Sequence, residues 1–316
     1  MIRDAAEERA SPRREMRMLE KGKERGLPLG LDLKALILMI VICASWGLNH
    51  PFTKVSYADI SPILAAALRS MLAFAGLLVY ARSAGISLRM GNGAMFHAVI
   101  LGLIFGVEFV LFYVGIDLTL ASRGAILLYT QPFFTALMAH FFLPGDRLNW
   151  KRSLGLILSF IGAAAVIGDA PGDGRYSLQG DLFCITAGFL WAATTVYLRV
   201  FMVFRATAVQ TLFYELLYSF PVLLAASFLF EPVRLDLTWR LTGILFYQGI
   251  GVACISYVIF IHLVYRYQIS TLSAFTFIAP ASGVIFSGFI LNDPMTVWLW
   301  SGLGMVSIGL WMVNRN

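Results

Sequence analysis

Ten apolar stretches of about twenty residues, separated by short polar breaks, follow one another between residues 35 and 313. Each is long enough for an α-helix to cross the roughly 30 Å hydrocarbon core of a bilayer. The spans read 35–53, 60–80, 94–116, 120–142, 153–168, 181–198, 206–230, 241–264, 269–291 and 297–313. A transmembrane β-barrel would instead need segments of about ten residues alternating apolar and polar, whereas LKALILMIVICASW and SLGLILSFIGAAAVIG are apolar on every side. Backbone groups in hydrocarbon have no water to bond, so the expected fold is all-α, an integral membrane bundle of ten helices.

Composition closes off the other classes. The 316 residues are 59% hydrophobic and 13% charged, against about 45–50% and 25% in soluble domains. Of the 42 charged residues, 16 stand in the first 34 positions, which leaves the remainder still more lipid-like. The tail at 1–34 mixes both signs, lacks a cleavable signal peptide, and reads as a disordered cytoplasmic extension whose basic residues can touch anionic lipid. Met16 and Met18 are alternative starts, so translation of the first 15 residues is open. With the amino terminus in the cytoplasm, 18 Lys and Arg fall inside, 4 outside (Lys54, Arg175, Arg234, Arg240) and 2 within spans. The positive-inside rule thus predicts a multi-pass protein of the cytoplasmic (inner) membrane with both termini cytoplasmic. Net charge +6 therefore points to lipid and topology, with no nucleic acid partner expected. Cys43, Cys184 and Cys254 lie in apolar runs without metal-ligand or disulfide spacing.

The two halves superimpose in sequence. Trp46 and Lys54 match Trp191 and Arg199 at an offset of 145, and Ser122 and Pro132 match Ser270 and Pro280 at 148. Asp146, Gly155 and Gly162 match Asp293, Gly302 and Gly309 at 147. Five spans per half is an odd number, so the second half enters the membrane reversed: two inverted five-helix repeats, 35–168 and 181–316, joined by a periplasmic linker at 169–180.

These residues carry a family resemblance. Trp46, Gly47 and Lys54 in the first span, SRGAILLYTQPFFTAL at 122–137, the acidic residue and glycine ladder after it, and their second-half echoes resemble the EamA-type drug/metabolite transporters over about residues 33–314. The resemblance implies ten helices in two repeats and transport of small polar metabolites, typically amino acids or related compounds. Asp146 and Asp293 stand where that family usually has Glu, and Ala192 replaces the glycine expected after Trp191.

An ionised group at mid-bilayer costs roughly 2.5–3.5 kcal/mol on insertion scales, so each should face the bundle interior with a partner. Arg69, Glu108, Arg123 and Glu215 are such groups. Glu108 and Arg123 lie on antiparallel neighbours and are expected to pair; alternatively Glu108 lines a cavity, carrying a proton or meeting a substrate amine. Arg69 and Glu215 occupy equivalent places at an offset of 146 and together suit a zwitterion, carboxylate on Arg69 and ammonium on Glu215. Trp46 and Asn49, repeated as Trp191 and Thr194, are expected to line the cavity with Tyr129, Gln131 and Phe277; Tyr214 and Gln248 join them. Pro132 and Pro280 are expected hinges or kinks. For each of these neutral residues the alternative is plain helix packing. The Gly155/Gly162 and Gly302/Gly309 stripes allow close helix approach within the chain or between two protomers, which leaves monomer or homodimer undetermined. His50, His97, His140 and His262 are read as interfacial.

No phosphate-binding loop, HExxH motif, strand-linked GxGxxG or catalytic triad is present, so no cofactor, metal or ATP hydrolysis is expected. The expectation is a secondary carrier, not an enzyme, moving small polar or zwitterionic metabolites outward by alternating access, with an exporter or flippase of amphipathic cations, drugs or lipid-linked groups as the alternative. A membrane-embedded enzyme or receptor-like scaffold is a third reading.

Overall fold

The computed structural model describes residues 32–142, 149–169, 177–202, 205–264, 267, 272 and 275–314. Residues 1–31, Asp146, Ser270 and most of the 169–180 linker lie outside the described residues. The described chain is helical throughout apart from loops and one isolated bridge between Ile60 and Leu235. The helices are α1 (Leu33–Ser56), α2 (Pro62–Ser83), α3 (Asn92–Leu118), α4 (Ala121–Leu128), α5 (Gln131–Phe142) and α6 (Trp150–Gly168). The second half contributes α7 (Leu178–Phe201), α8 (Ala208–Phe230), α9 (Trp239–Phe246), a π-helical stretch (Tyr247–Ser256), α10 (Tyr257–Val264), α11 (Ile278–Leu291) and α12 (Val297–Asn314).

Among the described residues eight stretches, including α4 with α5 as one span and α9 with the π stretch as another, are long and apolar enough to cross a bilayer; α11 and α12 are two further apolar helices. Polar caps mark where spans leave the apolar layer. The Asn149 side chain accepts from Arg152 N (2.9 Å), Ser177 from Gly180 N (3.1 Å) and Thr238 from Leu241 N (3.0 Å). Thr207 and Gln210 form a reciprocal capping box on α8. Large apolar side chains such as Val79, Phe228, Leu229 and Phe289 stay exposed on the outside of the bundle, as a lipid-facing surface requires.

The packing carries the repeat. Number the spans in order, α4 and α5 making the fourth and α9 with the π stretch and α10 the eighth. The first span then packs on the ninth and the sixth on the fourth; the second packs on the eighth and the seventh on the third. The third lies on the sixth and the eighth on the first, while the 5–10 and 2–7 contacts map onto themselves. Every one of these contacts joins one half to the other, and each keeps its counterpart when the halves are exchanged. With five spans in each half the exchange reverses direction through the membrane, so the architecture is an inverted repeat. The glycine stripes serve this packing within the chain. A Cβ on Gly162 would come 2.9 Å from the Gly302 carbonyl, and one on Gly309 would come 2.5 Å from the Gly155 carbonyl, so α6 and α12 touch backbone to backbone.

The end of the bundle remote from the amino terminus is sealed by polar contacts between halves. Asp181 of α7 accepts from Thr119 (2.6 Å) and pairs with Arg123 of α4, whose guanidinium also reaches the carbonyls of Asp169 and Ile167. Asp293 accepts from Ser122 N (3.0 Å), and the Thr296 hydroxyl donates to Asp169. On the other flank Arg240 clamps Asp59 through bonds of 2.8–3.0 Å, and Glu231 accepts from Ile63 N and Leu64 N (3.0 and 2.9 Å), capping α2.

Candidate functional site

Small residues bring the ionisable groups of both halves together in the middle of the bundle. Gly102 and Gly106 lie four residues apart on α3 and face α8; a Cβ on Gly102 would fall 3.2 Å from the Glu215 carbonyl and 2.4 Å from Tyr218 Cβ. This backbone contact lets Glu108 of α3 approach Glu215 of α8, near enough for the two carboxylates to act on one another, and Arg69 of α2 acts on Glu108 as well. Tyr257, at the start of α10, lies within the field of all three.

Arg69, Glu108 and Glu215 are buried, at 7%, 4% and 7% exposure. The Arg69 guanidinium stacks over Phe109, its carbon 4.7 Å from the ring centroid. Its Nε and Nη1, like Glu108 Oε2, are buried without a hydrogen-bond partner among the described residues. Glu108 thus lies within electrostatic reach of Glu215 and of Arg69, with no hydrogen bond among the three side chains in the described residues.

The eighth span packs beside this cluster. It leaves α-helical geometry for ten residues, Tyr247–Ser256, and π-helical turns recur at functional sites because they widen the helix and redirect side chains. Gly249 there packs on α2 so closely that a Cβ would stand 3.1 Å from the Arg69 carbonyl. Gln248, fully buried, donates to Thr53 Oγ1 (2.8 Å) while its Oε1 is unpartnered. Trp46 donates to Ser256 Oγ (2.8 Å) and packs against Tyr257 and Phe260 at 5.9 and 5.5 Å between centroids.

A second group of the expected residues clusters beside the helix break in the fourth span. Tyr129 sits between α4 and α5 with its ring 5.9 Å from Trp191, and Gln131 bonds Thr135 (2.8 Å) and Thr195 (3.3 Å). Asn49 Oδ1 and Thr194 Oγ1 are buried and unpartnered. The break at Tyr129 and Thr130 immediately precedes Pro132, and Pro280 stands in the first turn of α11 after a turn at 275–277, so both prolines mark the beginning of a helix segment. Phe277 is 42% exposed and Tyr214 stacks on Tyr218 within the α3/α8 packing, so neither joins the charged cluster.

Two expectations need correcting. Arg123 does not pair with Glu108: it is claimed by Asp181, because α4 begins at the sealed end whereas Glu108 sits more than two turns back along α3. His50 is not interfacial; it is 3% exposed, its ring 5.6 Å from Phe112 and 6.2 Å from Tyr129, with both ring nitrogens unpartnered.

The sequence profile of the EamA-like transporter family matches residues 33–168 and again residues 178–315. The chain belongs to the EamA-like transporter family. It is 24% identical over 289 residues to the probable amino-acid metabolite efflux pump of Escherichia coli (strain K12), covering 87% of this chain and 93% of that protein. It is 25% identical over 283 residues to the transporter YvbV of Bacillus subtilis (strain 168), covering 89% and 91%. A solved crystal structure of a protein shares the fold at a TM-score of 0.60 and 17% identity, covering 88% of this chain and 96% of that one. The relatives that carry functional names are transporters, and so is this chain, embedded in a membrane as a multi-pass bundle with a small-molecule substrate.

Within this EamA-like transporter, sequence reasoning missed Phe109, Tyr257 and the π stretch. The pair Gly249 and Gly251 in YQGIGVACIS carried a signal, since two glycines two apart weaken an α-helix. Asp181 was visible as the first acid of α7, yet nothing in linear sequence tied it to Arg123.

Proposed function

We propose that this protein is a secondary carrier of the cytoplasmic membrane, with both termini in the cytoplasm, that moves small zwitterionic metabolites such as amino acids outward by alternating access. The observation that carries the reading is the buried cluster of Arg69, Glu108 and Glu215. It holds one more carboxylate than cation, and its guanidinium has two buried nitrogens without partners. A zwitterion answers both features: its carboxylate takes the Arg69 N–H groups and its ammonium meets Glu108 or Glu215 through charge-assisted bonds. A proton is the other cation that balances the cluster, which provides a route for coupling transport to a proton gradient. The distribution of Lys and Arg supports the orientation, and the similarity to the probable amino-acid metabolite efflux pump of Escherichia coli supports the substrate class and direction.

The sealed end then faces the periplasm, and the conformation is closed outward. Rocking the halves about the cluster would exchange the seal for an opening.

The test is counterflow in proteoliposomes preloaded with zwitterionic amino acids. Wild-type protein should exchange them, Arg69→Ala should lose substrate affinity, and Glu108→Gln should alter the pH dependence of the rate. If Arg69→Ala is folded and binds with wild-type affinity, or if lipophilic cations compete while zwitterions do not, the zwitterion reading fails.

A further inference from the structure

A pocket of about 830 Å³ opens at the sealed end, away from the charged cluster. Its volume lies within the range of about 300–1,000 Å³ typical of sites for organic ligands. The walls are apolar: Ile63 of α2, Val110 and Val114 of α3, Phe183 of α7 and Phe230 at the end of α8. Ile63, Val114, Phe183 and Phe230 stand within two turns of their helix ends and Val110 about one turn deeper than Val114, so the walls run from the headgroup boundary into acyl-chain depth. Phe230 is 76% exposed, so the pocket's edge continues into the lipid-facing surface of the bundle.

Two charges of opposite sign stand at the polar end of this pocket, Asp117 and Arg234. Arg234 gives one guanidinium nitrogen to the Tyr57 carbonyl, and the fork has further donors to offer. Asp117 is exposed, with Lys54 acting on it electrostatically while that ammonium reaches the carbonyls of Asp117 and Thr119. Glu231, which also lines the pocket, is occupied by the amides of Ile63 and Leu64 and by the Ser227 hydroxyl.

We propose that this pocket binds a bilayer phospholipid with a zwitterionic amine headgroup, of the phosphatidylethanolamine type. One acyl chain lies along Val110, Val114, Phe183 and Phe230, the phosphate is held by Arg234, and the ammonium meets Asp117. An anionic headgroup without an amine satisfies Arg234 and leaves Asp117 facing negative charge, so the site discriminates between headgroups. The walls come from both repeats, and the 231–234 segment that caps α2 forms part of them. A lipid seated there stabilises the arrangement in which this end is closed, because opening would separate its walls.

The experiment uses the full chain purified in detergent, with thermal unfolding followed against added dioleoylphosphatidylethanolamine or dioleoylphosphatidylglycerol. The phosphatidylethanolamine should raise Tm saturably and the phosphatidylglycerol should do so at least tenfold more weakly. Arg234→Gln should weaken the phosphatidylethanolamine response about tenfold, the expected scale for losing one charge-assisted contact. Asp117→Asn should erase the preference between headgroups. Val114→Trp, which fills the pocket, should abolish the response; if that variant does not fold, the two polar variants still decide. Equal responses to both lipids in wild type, or wild-type behaviour of Arg234→Gln and Asp117→Asn, overturns the proposal. So does a lipid-independent dimer that both polar variants disrupt, which would make the pocket a seat for a second copy.

Discussion

Replacing Asp181 with Asn tests how much the seal between repeats holds. Arg123 and Asp181 are 1% and 0% exposed, so neither charge has water to fall back on. The aspartate accepts from Arg123 Nε at 3.2 Å, from Nη2, and from the Thr119 hydroxyl at 2.6 Å. Asn keeps the shape and can still accept from Thr119, so Asp181→Asn chiefly removes the negative charge that Asp181 brings to Arg123, whose guanidinium keeps its bonds to the carbonyls of Asp169 and Ile167 among its other contacts. Removing one partner of a buried pair costs about 3–5 kcal/mol, and that is the loss expected in reversible denaturant unfolding of the protein in mixed micelles. The cycle with Arg123→Gln isolates the pair. The double variant should be less destabilised than the sum of the singles, with a coupling of about 1–3 kcal/mol. An Asp181→Asn protein within 1 kcal/mol of wild type, or a cycle that is additive, would refute the claim that this pair bridges the repeats.

Three other outcomes follow. A Cβ at Gly47 would lie 2.6 Å from both the Ala279 carbonyl and Gly283 N, so Gly47→Ala should destabilise by about 1–3 kcal/mol; at Gly304 a Cβ meets nothing within 4 Å, and Gly304→Ala should be neutral or slightly stabilising in the same unfolding assay. At Asp59 some desolvation works against ionisation, but hydrogen bonds from Arg240 and Thr238 with the charges of Arg240 and Arg234 hold its carboxyl below the ordinary 3.8. Its contribution is therefore complete above about pH 4 and fades only as pH falls through the lower folded value, so the stability difference between wild type and Asp59→Asn should be flat from pH 5 to 8; a difference that shrinks between pH 7 and 5 contradicts this. Cys43, Cys184 and Cys254 are buried, which makes the native background quiet to thiol reagents; Ser83→Cys and Asp236→Cys, both at exposed positions, should label from opposite sides of the membrane, and labelling from one side removes the proposed topology.

The membrane fold was legible because its signal is redundant: ten apolar runs, an odd number per half, and Gly162, Gly302 and Gly309 repeating at the spacing that α6 and α12 use against each other. The ionisable residues were legible as a set, since their cost in hydrocarbon makes each conspicuous. Their partners were not. Arg123 and Glu108 are close in sequence and lie on antiparallel neighbours, yet the tight turn at Thr119 leaves Arg123 at the start of α4, level with Asp181 of the other half. Sequence distance favoured the wrong carboxylate because partner choice depends on axial depth, and a helix changes depth by 5.4 Å per turn. His50 misled for a similar reason: it stands near the end of an apolar run, but α1 continues to Ser56 and carries it inside. The π stretch was hidden because periodicity cannot distinguish a locally widened helix from an ordinary one in a segment apolar all round.

The symmetry of the fold does not extend to its charges, and that asymmetry is where a direction of working enters. The offset of 148 carries Arg123 onto Thr271, and the offset of 145 carries Asp181 back onto Leu36, so the exchanged positions hold no charge at all. The positions that the repeat relates to this ion pair therefore carry no equivalent pair at the other end. Arg69 maps onto Glu215 at 146, so that pair of the central cluster is exchanged with its sign reversed, whereas Glu108 maps onto the uncharged Cys254. Two states built from equivalent helix contacts would be close in energy if packing alone decided between them. In the alternating-access mechanism proposed above, a buried pair made in only one of the two states would bias the resting population toward the one sealed by Arg123 and Asp181. Substrate can then drive the exchange only by as much as it binds the other state better.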